Sequence, residues 1–433
     1  MSFPSELTFL TPENIVPSRT YSTRIQPHNV SSATTSGQSF KFNTGTVSRS
    51  FIQANTMTLN FQLVVNPNAT GAATTDDYTV MGSGYSCFER QTMTAGGYPL
   101  DNVDNLPRLA HYLLQSTADT GSLSGMINIG AKSGSTAGAS LAPGNAQLMS
   151  DYSLPLLGVC NGADNYIPLF VSDIEFEFVV SDLIAKYVLS KSTKLPNDFL
   201  IKNVSLTYNV IELEQSVYSA MLAQYPNGII PLLSSTYTHS GTTLLDSVGT
   251  QSIVYPHRRT SLKNVYLMVN GGNEKDLGCV NPNLAKYPEL DIGGSKFPQS
   301  LVDIKNSAQA YTEIAKNFGS LYSTSHSSSL TRNNFPVAVT AGYSGTSYRT
   351  ATSKADFFAS NGKASMFFMA IDLEKLSGAK SGVYNGVSSV GQSSTLTFEI
   401  ANATGASLPL SVFSHFDIVL YFNVTDNSIT QSS

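Results

Sequence analysis

Apolar residues fall on every second position in one stretch of this chain after another, and one such stretch is present twice. In "FSHFDIVLYFNV" (413–424) the alternating set is Phe416, Ile418, Leu420, Phe422 and Val424. In "FLIKNVSLTYNV" (199–210) it is Val204, Leu206, Tyr208 and Val210. A period of two marks a half-buried strand, because successive side chains leave a pleated backbone on opposite faces. The same rhythm runs through "SFIQANTMTLNFQLVV" (50–65), "SDIEFEFVV" (172–180) and "STLTFEIANA" (394–403). "SLKNVYLMV" (261–269) and "KASMFFMAIDL" (363–373) are apolar runs bounded by Gly or polar residues. Short strands separated by Gly-, Asn- and Ser-rich loops predict sandwiches or barrels.

Three segments carry helical spacing instead. In "LDNVDNLPRLAHYLLQ" (100–115), Val103, Leu106, Ala110 and Leu113 form one stripe, with Asp101 or Asn102 as the expected N-cap. In 300–319, Ile304, Ala308, Tyr311, Ala315 and Phe318 do the same, ending at Gly319. The third, 212–228, opens on Glu212 and Glu214 and closes at Pro226 and Gly228. The order of elements then repeats. The first half runs strand, glycine turn "AGGYPLDN", helix, long polar loop and two strands. The second runs strand, "NGGNEKD", helix, long polar loop and three strands, about 200–220 residues later. Two similar β-sandwiches in tandem are the expected all-β architecture, and at ~100–200 residues per domain the 433-residue length accommodates them.

Charge narrows the function. Only 13% of residues are Asp, Glu, Lys or Arg, against about 25% in typical soluble proteins. Neutral polar surface costs little to desolvate, which suits a chain that buries itself against copies of itself. The formal charge is −5 and residues 1–50 hold no basic tail, so direct nucleic-acid binding is not expected. The opening "MSFPSELTFLTPENIV" has no basic region followed by an apolar run, so no secretory signal is expected, and no stretch approaches ~18 apolar residues. Cys87, Cys160 and Cys279 are odd in number and widely separated, fitting neither a disulfide framework nor a zinc site. Sequons begin at Asn29, Asn68, Asn203, Asn402 and Asn423, about as many as chance produces in such a composition.

Candidate chemistry is weak throughout. "GMINIGAKS" (125–133) spaces Gly125 and Gly130 like a phosphate loop, but Ala131 separates Gly130 from Lys132 and Ser133, so a surface loop is expected. Asp173, Glu175 and Glu177 share a strand face at ~6.8 Å intervals, a spacing paired glycosidase carboxylates use. Their alternation with Ile174, Phe176 and Phe178 is what a solvated sandwich face gives, and the chain has no Trp to stack a sugar. His28, His111, His239, His257, His326 and His415 never occur as HxH or HExxH, and no GxSxG elbow exists. No catalytic, cofactor-binding or metal-binding residues are therefore assigned. "YPHRRTSLK" (255–263) is the one basic cluster, with His257, Arg258, Arg259 and Lys263. It reads as a solvated strand edge, or alternatively as a subunit-contact or inner-surface cluster.

The succession "GSGYSCFERQTMTAGGYPLDNVDNLPRLAHYLL", "FLIKNVSLTYNVIELEQSVYSAMLA" and "FFMAIDLEKL…TLTFEIANATGASLPLSVFSHFDIVLYFNV" resembles the double jelly-roll major capsid proteins. Within that lineage it is most similar to the virophage and Polinton-like virus group, related to adenovirus hexon and the capsid proteins of tailless phages. The resemblance covers residues 40–425 and lies in the order of elements. It implies two eight-stranded jelly rolls with a few short helices. The implied division is an N-terminal arm (1–40), a first roll with its closing helix (41–224), a linker (225–250), a second roll (251–425) and a tail (426–433). It further implies a structural, non-enzymatic role: a homotrimer whose six barrels make a pseudo-hexagonal capsomer tiling the icosahedral shell of a DNA virus. The partners implied are neighbouring capsomers, penton and minor capsid proteins, and contact with an internal membrane. The implied location is the virion, after synthesis inside the host cell without secretion. The alternative is a spike-like tandem sandwich that binds glycans or a receptor, and a β-sandwich glycoside hydrolase is a third reading.

Overall fold

Two glycine pairs, one in each half, turn the chain back on itself in the same way. Gly96–Gly97 have φ of 56° and 83°, and Gly293–Gly294 have 58° and 88°. Positive φ at both central residues is what a type I′ hairpin requires, and its twist matches that of the strands it joins. In the computed structural model these turns join β5 (Phe88–Ala95) to β6 (Tyr98–Asp104) and β15 (Leu284–Ile292) to β16 (Ser295–Phe297). The counterpart of "AGGYPLDN" is therefore "DIGGSKFP" (291–298); the segment 271–276 of "NGGNEKD" lies outside the described residues. The structure describes residues 18–65, 78–80, 82–119, 148–162, 166–182, 188–190, 199–270, 279–318, 367–375, 385–402 and 407–432, with a few positions between them.

Around the first hairpin, β2 (Ser39–Asn43), β9 (Ile174–Val180), β5 and β6 form one sheet in that order. Facing it are β1 (Ser18–Ile25), β11 (Phe199–Leu213), β3 (Ser50–Val65) and β7 (Leu148–Pro155), with β8 (Tyr166–Pro168) added to β3. The second half repeats both orders. β13 (Gly249–Val254), β18 (Ser394–Ile400), β15 and β16 form one sheet. β12 (Ile229–Leu244), β19 (Leu408–Asn423), β14 (Leu262–Val269) and β17 (Met369–Asp372) form the other, with β20 (Ser428–Ser432) added to β19. Each half is thus two facing four-strand paths, an eight-stranded jelly roll, and the chain is a double jelly roll. A small pair, β4 (Tyr78–Val80) with β10 (Val188–Ser190), stands apart.

Alternation decides which residues enter each core. β9 and β18, at matching places, share one burial rhythm: Ile174, Phe176, Phe178 and Val180 point in, as do Ser394, Leu396, Phe398 and Ile400. In the first roll Phe61 of β3 meets Phe88 of β5 edge-on at 5.1 Å, joining the two sheets. In the second, the Tyr287 hydroxyl of β15 donates to the Ala370 carbonyl of β17 and accepts from the Ala370 amide, both at 2.9 Å.

The structure moves several expected boundaries. Residues 100–104 are strand, so α1 is Leu106–Thr117, capped by Asn105 in the left-handed conformation rather than by Asp101 or Asn102. Periodicity ran past the start because Leu100 and Val103 are buried from a strand. Glu212 lies within β11, which ends at Leu213, and the helix after it is Gln215–Ala223; the helix of the second roll begins only at Ser307, where Asn306 accepts from the Ala308 and Gln309 amides. With the short turn Val159–Gly162 these are, in chain order, α1, α2 (Val159–Gly162), α3 (Gln215–Ala223) and α4 (Ser307–Lys316). The stretch 225–250, read as a linker, carries β12, which pairs with β19 over all sixteen residues. The expected arm and tail likewise contribute β1, on β11, and β20, on β19.

Candidate functional site

The helix that follows each glycine hairpin takes a different place in the two rolls. Nine of the twelve residues of α1 are buried, from Leu106 to Ser116, which is the pattern of a helix enclosed on several sides. Tyr112 is fully buried, with its ring 4.7 Å from Tyr266 on β14, 4.9 Å from Phe368 before β17 and 6.0 Å from Phe318 after α4. All three neighbours belong to the second roll. α1 is a wedge driven from the first barrel into the second.

Polar groups complete this seam. Asp101, buried on β6, accepts from the Val159 amide at 2.9 Å and from the Thr236 hydroxyl of β12 at 2.5 Å. The Ser234 hydroxyl, also on β12, donates to the Val159 carbonyl at 2.9 Å. Gly158 makes room for this: its φ is +71°, and a Cβ there would stand 2.1 Å from Asp101 Oδ2. Burial raises the Asp101 carboxyl to about 6, an effect its hydrogen bonds only partly offset. On α1, the buried Arg108 donates from Nη1 to Ser411 Oγ at 2.9 Å. With its amide oxygen turned toward the guanidinium, Asn270 accepts from Nη2 at 2.9 Å. Beside them a cleft of about 460 Å³ is lined by Glu89, Asn105, Arg108, Asp182, His239 and Ser411, among others.

The basic cluster is spread along the second roll. His257 Nδ1 lies 2.6 Å from Ser414 Oγ, and burial lowers its imidazole to about 4. Arg259 places its guanidinium 4.1 Å above the Phe416 ring. Lys263 meets Glu374 at 3.4 Å and Asp417 at 3.8 Å. Arg258 is the exposed one of the four, and it donates to the Gln392 carbonyl and, at 3.0 Å, to Ser394 Oγ. Most of this charge is turned into the barrel's own hydrogen bonds.

The acidic row lies on the outer face of β9. Lys41 of the paired strand β2 stands 3.4 Å from Glu175 and 3.8 Å from Glu177, and Asn43 donates to Asp173 at 2.7 Å. Each of these carboxylates is thus partnered from the adjacent strand, as on a solvated sheet face. In the phosphate-loop candidate, the turn 128–130 is fastened to neighbours, with the Asn128 carbonyl accepting from the Ser153 amide and Ile129 from Gly84. Gly125, Ala131, Lys132 and Ser133 lie outside the described residues. Cys87, Cys160 and Cys279 are buried and in no disulfide, and burial pushes the Cys87 and Cys160 thiols far up. Among the described residues no group of three or more His, Cys, Asp or Glu side chains could hold a metal ion, and no helix is long and apolar enough to cross a membrane. Sequence reasoning missed the seam. Its one trace was Asp101 beside Leu100, where two consecutive buried residues, one of them charged, break the alternation of β6.

No protein-family model matches the sequence, and no curated protein does. Solved structures do match in fold. The Faustovirus major capsid protein is 10% identical, with 96% of this chain and 92% of that chain covered and a TM-score of 0.59. The Sputnik virophage structure is 10% identical over 100% of this chain and 92% of that chain, with a TM-score of 0.58. The mavirus major capsid protein is 12% identical over 100% and 95%, with a TM-score of 0.51.

Proposed function

We propose, from a double jelly-roll fold that capsid proteins match along nearly their whole length, that this chain is the major capsid subunit of an icosahedral DNA virus of the virophage or Polinton-like kind. The observation that carries the proposal is the repetition of both four-strand orders in one chain. One polypeptide then supplies two adjacent barrels, and three copies supply six. A homotrimer of this kind has a nearly hexagonal outline and fills lattice sites with six neighbours while using only threefold contacts. The work is assembly rather than catalysis. Obligate interfaces of this type bury about 2,000–5,000 Å², and a surface poor in charge lowers the desolvation cost of forming them.

The finer parts of the reading are proposed with it: the partners are neighbouring capsomers, penton and minor capsid proteins, and an internal membrane where the virion holds one. Arg258, the exposed member of the basic cluster, is the residue of that cluster proposed to touch a neighbouring subunit or the inner surface. Assembly takes place inside the host cell, and the formal charge of −5 fits a genome enclosed without direct condensation on this chain.

Light scattering on the purified chain tests the proposal, with a species near three times 46.3 kDa expected. Electron microscopy should show hexagonal particles with two barrels per chain. A monomer that binds selected glycans on an array would overturn the capsid reading in favour of a spike.

A further inference from the structure

His239 and His111 approach the seam from opposite barrels, and each is held in a setting that suits only a neutral ring. His239, on β12, sets Nε2 3.4 Å from Asn105 Nδ2 at the start of α1. An amide nitrogen only donates, so Nε2 must accept, which a protonated imidazole cannot do. Its other face lies 4.7 Å from the Phe413 ring. His111, on α1, has its ring 6.0 Å from Phe368 and lies beside Gly82, near Leu277 and Ser86. Its Nε2 is buried with no hydrogen-bond partner among the described residues.

Charged groups reach His239 from elements of both barrels. Arg108 reaches it from α1 and His257 from the loop before β14, and both oppose a second positive charge. Glu89 of β5 and Asp182, following β9, line the same cleft. Burial and the nearby Asp182 raise the Glu89 carboxyl, so it takes up a proton early as pH falls. At neutral pH His239 is neutral and shares the cleft with Glu89, Asp182 and Arg108. In acid Glu89 loses its charge before His239 gains one, and the His239 cation then faces the Arg108 guanidinium across the boundary between the barrels. For His111 only burial acts, and it opposes the charged form.

We propose that the seam between the two jelly rolls is an acid-released latch, in which protonation of His239 and His111 frees α1 from the second barrel while both barrels stay folded. The latch needs no assembly partner and stands whether or not the capsid reading does.

Hydrogen exchange of the full-length chain tests it, read between pH 7 and 4 and corrected for the intrinsic pH dependence of exchange. In the native sequence, amides of α1 should open about tenfold more at pH 4.5 than at pH 6.5, while those of β3 and β18 keep their protection. In the His111→Gln/His239→Gln double variant the rise should fall below about threefold. Asn105→Asp supplies an acceptor facing His239, so there acid should protect α1 less poorly than in the native chain, even if the double variant does not fold. Unchanged α1 protection in the native chain, loss of protection in both barrel cores in step with α1, or an undiminished acid response in a folded double variant would each overturn the proposal.

Discussion

Replacing Tyr112 by alanine removes the ring that three segments of the second barrel grip. The side chain is fully buried, and Tyr266, Phe368 and Phe318 surround it at 4.7, 4.9 and 6.0 Å. Truncating a large buried aromatic costs about 3–5 kcal/mol, combining lost transfer energy with the cavity left behind. Each lost aromatic pair accounts for about 0.5–1.5 kcal/mol within that total. Because the buried apolar residues form one cluster spanning both barrels, the native chain should unfold as a single cooperative unit. The alanine variant should separate into two transitions, with the first shifted down by about 6–20 °C on a scale of roughly 2–4 °C per kcal/mol. Tyr112→Phe is the control. It keeps the ring, loses only a hydroxyl beside Ser116, and should cost no more than about 1.5 kcal/mol. Urea and thermal unfolding followed by near- and far-ultraviolet circular dichroism, at one fixed protein concentration, read all three chains. An alanine variant within about 1 kcal/mol of native, or a phenylalanine variant as damaged as the alanine one, would refute the wedge.

Other perturbations probe separate parts of the molecule. Gly158→Ala places a methyl against Asp101 at a positive φ, so it should lower the melting temperature by several degrees and expose α1 to proteolysis. Acid should destabilise the fold. The imidazoles of His111, His239 and His257 are lowered by burial to about 4 and that of His415 to about 3, so the unfolded chain takes up protons first. Their contribution is complete above pH ~6.5 and is lost as pH falls toward 4, at most about 3 kcal/mol each. Asp101, raised to about 6, acts in the opposite sense because the folded state takes up its proton first, and it offsets about one histidine. Melting temperatures that stay level from pH 7 to 4 would contradict this sum. A thiol reagent should label none of Cys87, Cys160 and Cys279 in the folded chain and all three in denaturant, since all are buried. Glu175→Gln and Glu177→Gln should each change stability by no more than about 0.5 kcal/mol, and no glycoside turnover should be measurable before or after.

The strands were legible because a period of two survives wherever one sheet face is wet. Ile174–Val180 and Ser394–Ile400 stand almost where alternation places them. Helix boundaries were less legible, because Val103 extends an apparent helical stripe although it is buried from β6. β12 was hidden for a different reason. It is an edge strand of polar and small residues, "SSTYTHSGTT", whose pairing with β19 is fixed by a partner some 180 residues away. The seam was least legible of all. Asp101, Gly158 and Thr236 are ordinary residues in sequence, and only the packing of one barrel on the other brings them together.

The unequal fate of the two helices makes the duplication hard to undo. α1 is enclosed by both barrels, whereas α4 rests chiefly against β17 of its own. Either barrel produced alone would leave a greasy surface bare: Tyr112 on one side, Tyr266 and Phe368 on the other. A chain welded in this manner cannot be cut back to one barrel by simple deletion, and every change in α1 must satisfy two hosts at once.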